Sequence, residues 1–386
     1  MTSPLRVIGV GFDHMHIGDQ LQTAIDHPDT AVVGLIGDDL SRVSDVAFSL
    51  NLDVPSFGSL KELDALISVT DPDIAFVCTT TAAHADVVQA LASAGIHVIL
   101  EKPFADSLEA VDRMISSSQA NGTLLTVNWP LAWLPSHRTA KRLIAEGSIG
   151  DVQAVHFYDG NRGPLFHSHG KVETSPTTEE KASSWFYSSD AGGGSLRDYL
   201  GYGVTLGTWF RNGGLPESVT ADWFIPEGLE VDEQSVVIAR YATGLSVFET
   251  RWGTLSDPWS LQPSPRCGFV ITGATGSITS WDYDVEVTLT RGNGSAPERI
   301  GVDEIALEDR TALANVVAHL RTSRPLDSPL SAATSRIGHA IVEAAVRGAE
   351  TGQRVRLTDL GGSAVRTLRD QSASNSNNSG ALPKGT

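Results

Sequence analysis

The sequence predicts an α/β protein: an N-terminal doubly wound parallel sheet, then a C-terminal α+β domain with a large, mostly antiparallel sheet. Three observations predict it. Short apolar runs alternate with helical spacing over residues 5–127, as a parallel sheet covered on both faces requires. After Asn128 the helices thin out, and runs alternating polar and apolar residues follow one another directly, as in a sheet with one wet face. The length of 386 residues exceeds one ordinary core and suits two.

The elements follow in order. Residues 5–10 (Leu-Arg-Val-Ile-Gly-Val) read as a buried strand, Gly11 to His16 as a turn and 17–26 as a helix. Strands are expected at 31–36, 74–78, 96–100 and 123–127, and helices at 41–50, 59–68, 83–94 and 107–121. Gly37-Asp38-Asp39, Asp71-Pro72-Asp73 and Gly95 punctuate them. A helix at 137–146 opens the second domain. Strands are expected at 151–158, 217–225, 233–241, 244–252, 267–272, 276–281 and 284–290, with helices at 310–322 and 330–351. The reading divides the chain into residues 1–125, residues 126–365 and a tail, 366–386. That tail is rich in Ser and Asn and lacks the apolar residues needed to order it.

The formal charge is −18, from 28 Lys+Arg and 46 Asp+Glu. An acidic surface argues against nucleic acid and against an anionic membrane face. No apolar stretch reaches the length of a membrane span. The start of the chain has no basic region before a long apolar core, so a cytoplasmic location is expected. Cys78 and Cys267 are the only cysteines. They read as buried thiols, too few for a disulfide scaffold or a cysteine zinc site.

Gly9-Val10-Gly11 ends the first strand and opens a helix, as a dinucleotide fingerprint does. Gly9 would permit the tight turn, and Gly11 would let the backbone approach a pyrophosphate. His14 stands where a third glycine is usual. Phe12, Asp13 and His14 would border the cofactor. Asp38 ends the second strand, where a carboxylate accepts from ribose hydroxyls. This favours NAD, and the nearby Arg42 leaves NADP open. Asp38 or Asp39 could also cap the next helix. Glu101-Lys102-Pro103 follows the fourth expected strand, on the side of the sheet where ligands lie.

The threonine-rich turn Cys78-Thr79-Thr80-Thr81, His84, the run Ala94–Leu100 and Glu101-Lys102-Pro103 together resemble the Gfo/Idh/MocA oxidoreductase family. Further matches are Asn128, Lys141–Gly150, Gly192-Gly193-Gly194-Ser195-Leu196-Arg197-Asp198, Gly273–Ile278 and Ala344–Gly352. The resemblance runs to about residue 358. It implies a Rossmann domain, a nicotinamide cofactor and a sugar, sugar derivative or polyol as substrate. It also implies a homodimer or homotetramer, built on the exposed face of the second sheet. Its catalytic trio falls on Lys102, Asp198 and Tyr202, with tyrosine in place of the commoner histidine. Thr79, Thr80, His84 and Glu101 would join Lys102 at the cofactor. Gly201 stands one position later than the family's glycine.

The residue types suit the chemistry. Oxidising a secondary alcohol sends a hydride to nicotinamide and a proton to a base. Tyrosine titrates at about 10, and a neighbouring Lys102 would lower that and stabilise a developing alkoxide. Asp198 would orient Lys102 or hold a hydroxyl, or else cap a helix. Substrate contacts are expected from Lys102, Asn128, Arg162, Trp185, Asp198 and Tyr202. Residues 159–190 read as a long loop over the site, with Arg162, His167 and His169 as candidates that make the cleft less acidic than the surface. His14-x-His16 and His167-x-His169 invite a metal, but no carboxylate spacing completes either pair, so none is assigned. Gly273-x-x-Gly276 reads as a turn between strands. A lyase or glycosidase using NAD transiently, and a non-catalytic NAD sensor, remain alternatives.

Overall fold

The computed structural model describes residues 3–166, 174–326 and 328–360. The first half alternates β1 (Leu5–Val10), α1 (His16–Asp26), β2 (Thr30–Ile36), α2 (Leu40–Ser49), β3 (Ser56–Phe57), α3 (Leu63–Thr70), β4 (Ile74–Val77), α4 (His84–Ser93), β5 (His97–Glu101), α5 (Leu108–Ala120) and β6 (Leu125–Asn128). These strands form one parallel sheet in the order β3-β2-β1-β4-β5-β6. The order reverses between β1 and β4, which opens a crevice at the carboxyl ends of the strands. β4 is buried throughout and β5 at every residue but His97, as parallel strands covered on both faces must be.

The second half contains α6 (Pro135–Ala145), β7 (Val152–Asn161), α7 (Thr178–Ala182), α8 (Ser195–Phe210), β8 (Ser218–Phe224), β9 (Gln234–Tyr241), β10 (Gly244–Trp252), β11 (Gly268–Gly273), β12 (Gly276–Trp281), β13 (Glu286–Arg291), β14 (Glu298–Gly301), α9 (Ala312–Thr322), α10 (Ala332–Thr351) and β15 (Val355–Arg356). Nine strands pair in the order β14-β13-β12-β11-β7-β10-β9-β8-β15. Only β7 and β10 run parallel. The turn between β11 and β12 is the one expected at Gly273–Gly276.

Four features depart from the sequence reading. The edge strands β3, β14 and β15 were not expected, because two to four residues carry no readable period. β7 runs on to Asn161, because Asp159 and Asn161 pair with Thr250 and Trp252 of β10. Tertiary pairing there overrides a turn-like Asp-Gly-Asn. β6 reaches Asn128 as the last strand of the first sheet. Leu313, Val316 and Val317 of α9 return to that sheet and share a core with Val7, Phe76 and Ile99.

Helix α8 lies buried along nearly its whole length, between the large sheet and α10. Small residues let it sit that close. A side chain on Gly201 would meet the Trp129 indole at 2.6 Å, and one on Gly203 would overlap Phe157. The shifted glycine noted in the sequence therefore has a packing reason, the indole against which it rests. The start of α8 is fixed by Asp232. Its carboxylate accepts from the Ser195 hydroxyl at 2.6 Å and the Leu196 amide at 3.0 Å, satisfying donors that a helix start leaves open. Cys78 and Cys267 are buried and unpaired. Among the described residues no helix is long and apolar enough to cross a membrane. His167, His169 and the tail from 366 lie outside the described residues.

Candidate active site

The turn after β1 meets the end of β4. Gly11 has φ +79°, and a Cβ there would stand 2.6 Å from the Thr79 amide nitrogen and 2.8 Å from Thr79 Cα. Only glycine fits so close a crossing. Gly9 serves differently from expectation. It sits within β1, and a Cβ would touch Leu35 and Leu21 at 3.1 and 3.2 Å, so it lets α1 lie on the sheet. The Asp13 and His14 amides donate to the Cys78 carbonyl at 3.2 and 3.3 Å. The Thr79 hydroxyl is buried without a hydrogen-bond partner at this crevice. Asp38 is exposed at the end of β2, with one oxygen accepting from the Leu60 amide at 2.8 Å. Asp39 is the residue that caps α2. Arg42 reaches the Asp13 carbonyl at 3.4 Å. An open turn, an orphaned hydroxyl and an exposed carboxylate on neighbouring strands fit an adenine dinucleotide.

Glu101 closes β5 and is 1% exposed. His16 donates to one of its oxygens at 2.9 Å, and Gln20 to the other at 2.7 Å. The sequence spacing offers no carboxylate to complete the His14–His16 pair, and the fold supplies one. Glu101, from another strand, brings one ligand-type atom within 4.8 Å of both imidazoles. His14 is buried against His16 and Phe186. Burial, then the neighbouring His16, holds its imidazole well below the usual range, so it is neutral. His84 is buried with its two ring nitrogens 3.2 Å from the Phe104 and Thr79 carbonyls. It ties the two strand-end loops together and is absent from the cavity wall. Thr80 precedes the short turn at 81–83 that leads into α4.

Lys102 is 3% exposed, and its ammonium donates to Asp198 from the first turn of α8. It also lies 5.8 Å above the Tyr199 ring and 5.5 Å from that of Tyr202. The pair opens on a cavity of about 420 Å³. His14, His16 and Phe186 form one side of it, Tyr199 and Tyr202 another, and Asp159, Asp282 and Tyr283 a third. The expected trio Lys102, Asp198 and Tyr202 is therefore brought together on one wall.

Two expectations about this cavity are corrected. The pKa of Tyr202 is not lowered beside Lys102. Burial, then Glu101 and Asp198, pushes the phenol well above its usual value, because the lysine charge is spent on Asp198. Nor does Arg162 relieve the acidity of the cleft, and His167 and His169 lie outside the described residues. Asp19, Asp159, Asp198 and Asp282 line the cleft, while Arg162 is bound to Asp257 at 2.7 Å and stands off the lining.

Asn128 and Trp185 also stand off the cavity wall. Asn128 accepts from the Trp133 indole at 3.2 Å. Trp185 stacks on Phe186, which does line the cavity, and donates to the Asp13 carbonyl at 3.4 Å. The segment expected as a loop is anchored where it is described: Lys181 and Tyr187 both bind Glu233, at 2.7 and 3.0 Å. The sequence reading missed Asp159, Tyr199, Asp282 and the Glu101–His16 pair. For Tyr199, the helical position beside Asp198 was an available signal. For Asp159 and Asp282 the local sequence carried none.

Residues 5–129 match the oxidoreductase family with an NAD-binding Rossmann fold, and residues 137–279 match the Gfo/Idh/MocA C-terminal domain. A trans-1,2-dihydrobenzene-1,2-diol dehydrogenase of Xenopus laevis is 30% identical over 221 residues, 57% of this chain and 59% of that protein. A 1,5-anhydro-D-fructose reductase of Ensifer adhaerens is 35% identical over 92 residues, 24% of this chain and 28% of that protein. The chain thus spans less than two thirds of these curated relatives. An oxidoreductase from Agrobacterium radiobacter, solved with NAD+, L-tartaric acid and magnesium, has the same fold, with a TM-score of 0.74 at 17% identity over 93% of this chain and 100% of that one. So does an aldose-aldose oxidoreductase from Caulobacter crescentus, with a TM-score of 0.74 at 16% identity over 92% and 99%. Motif, sheet order and both matches agree: the chain belongs to the Gfo/Idh/MocA family of NAD-binding Rossmann oxidoreductases.

Proposed function

We propose that this protein is an NAD(P)-dependent dehydrogenase that moves a hydride between nicotinamide and a CH–OH carbon of a sugar, sugar derivative or polyol. The observation that carries the reading is the buried Lys102–Asp198 pair, at the carboxyl end of β5, facing a cavity beside the Gly11 turn. The Gly11 turn, the Thr79 hydroxyl and the Asp38 carboxylate would hold the dinucleotide. When bound, it supplies the hydride acceptor.

The chain's own residues handle the proton. Lys102 faces the substrate oxygen and, as a proton on Asp198 releases its charge, stabilises the negative charge that develops there. Asp198, held against Lys102, accepts the proton. Tyr202 keeps its own proton and donates a hydrogen bond to the same oxygen. The rings of Phe186 and Tyr199 restrict water at this wall.

The reading extends to organisation. We divide the chain after Asn128, with α9 returning to the first unit. Phe224, Val236, Ile238 and Leu245 expose apolar surface on the open face of the large sheet, which supports self-association there as a dimer or tetramer. Two thiols without a disulfide support a reducing, cytoplasmic location.

The test is a spectrophotometric screen of NAD+ and NADP+ reduction across sugars, glycosides and inositols. Linear NADH or NADPH formation with at least one of them is expected. Tightly held NAD+ with substrate conversion but no net NADH would turn the reading to a redox-neutral lyase or glycosidase. No conversion of any polyhydroxy compound would sink it.

A further inference from the structure

The cavity floor carries carboxylate charge that the proposed hydride chemistry does not use. Among its described lining residues Lys102 is the only lysine or arginine, and Asp198 takes its charge. Asp159, at the end of β7, is 7% exposed, and Asp282, just beyond β12, is 1% exposed. One oxygen of each lies within 4.8 Å of the other and of the Cys267 sulfur. Asp282 Oδ1 accepts from His137 Nε2 at 2.8 Å, and the second nitrogen of that ring meets the Ser280 hydroxyl at 2.8 Å. Asp282 Oδ2 is buried with no hydrogen-bond partner.

Two neighbouring carboxylates in a wall of low dielectric repel, and a buried carboxylate oxygen without a donor is costly. A proton on one of them would relieve this. Burial, then Asp282 and Asp198, pushes Asp159 well above the carboxylate range, while Lys102 and Cys267 act weakly against it. Tyr199, Tyr202 and Tyr283 face the same group, and burial raises all three, so they add no charge.

We propose that Asp159 and Asp282 form a cation-accepting subsite, and that the substrate of the dehydrogenase inferred above is an amine-bearing polyol, an amino sugar or aminocyclitol, bound as its ammonium. An ammonium brings three donors and one positive charge to the place where the wall lacks both. Its arrival displaces the proton from Asp159. A carboxylate or phosphate on the substrate meets carboxylates and no unspent lysine or arginine, so uronates and sugar phosphates are rejected. A divalent metal is the other cation these groups could take. Against it, the Cys267 thiol already donates to the Gly160 carbonyl and accepts from the Gly160 amide, both at 3.3 Å.

The test is calorimetric titration of the NAD+-loaded protein with D-glucosamine, D-glucose and D-glucuronate. It is run at mildly acidic pH, where the amine is already charged, in two buffers of different ionisation enthalpy, with and without EDTA. Glucosamine is expected to bind about tenfold more tightly than glucose, with net proton release and no effect of EDTA. Glucuronate is expected not to bind. Asp159→Asn should remove both the preference and the proton release, with its fold checked by thermal melting. The ranking and proton count of the unmodified protein stand even if that variant does not fold. Equal affinity for glucosamine and glucose, binding of glucuronate, absence of glucosamine binding or of proton release, or dependence on metal would each overturn the proposal. NADH formation is read separately. Glucosamine bound but never oxidised would leave the subsite and count against the dehydrogenase, whereas glucuronate oxidised would do the reverse.

Discussion

Replacing Lys102 by methionine separates the two things this lysine does. In the native protein its buried ammonium neutralises Asp198, which is 7% exposed. Lys102→Met keeps much of the side-chain volume and removes the charge. Asp198 is then left beside Asp159 and Asp282 with no cation. Breaking a buried pair from one side costs about 3–5 kcal/mol, so a loss near the lower figure is expected at neutral pH. The loss should shrink on acidification, since Asp198 can then take a proton. Activity suffers independently. Removing one donor aimed at a developing oxyanion costs about 10²–10³ in turnover. The double variant K102M/D198N has a neutral pair, so it should regain most of the lost stability and none of the activity. Denaturant unfolding followed by tryptophan fluorescence measures the first quantity, and NADH formation the second. The reasoning fails if K102M unfolds within about 1 kcal/mol of the unmodified protein, below the range for a broken buried pair. It also fails if the double variant is no more stable than K102M, or if K102M keeps turnover within about tenfold of the original.

Three further outcomes are expected. Burial raises Asp232 to about 6 in the folded chain, above its value of about 3.9 unfolded. The folded state therefore binds more protons between those values, and stability falls as pH rises through that window. Asp232→Asn removes this dependence, so relative to the unmodified protein it should gain about 3 kcal/mol between strongly acid and mildly alkaline pH, read as the difference between unfolding curves. Gly11→Ala sets a Cβ against the Thr79 backbone at positive φ. It should cost at least about 2 kcal/mol and weaken NAD+ binding by calorimetry, and wild-type affinity would show that the turn does not hold the dinucleotide. Tyr202→Phe should keep more turnover than Asp198→Asn, because the phenol stays protonated. The opposite order would make Tyr202 the proton acceptor.

Apart from the two-residue β3, the elements of the first sheet were legible because their signals are local. Val-Ile-Gly-Val, Ala-Phe-Val and Val-Ile-Leu each fill a strand buried on both faces, and Gly11, Gly95 and the Asp-Pro-Asp turn mark their ends. Lys102 could be singled out for the same reason, since it sits in a short motif at the end of a predicted strand, whereas Asp198 rested on the resemblance of Gly192–Asp198 to the family's pattern. Arg162 misled because a lone cation in a polar stretch carries no sign of its partner, and Asp257 lies 95 positions away.

The sequence by itself thus determined the class of fold, the order of its elements and the lysine and aspartate at its centre. Tertiary structure alone decided the charge of the cavity and the protonation of its tyrosine. Lys102 meets Asp198 across 96 positions, and Asp282 meets His137 across 145. The electrostatic state of a buried group depends on which charges lie within a few ångströms of it and on how far water is excluded. Neither distance nor burial at such separations is written in a local pattern of residues.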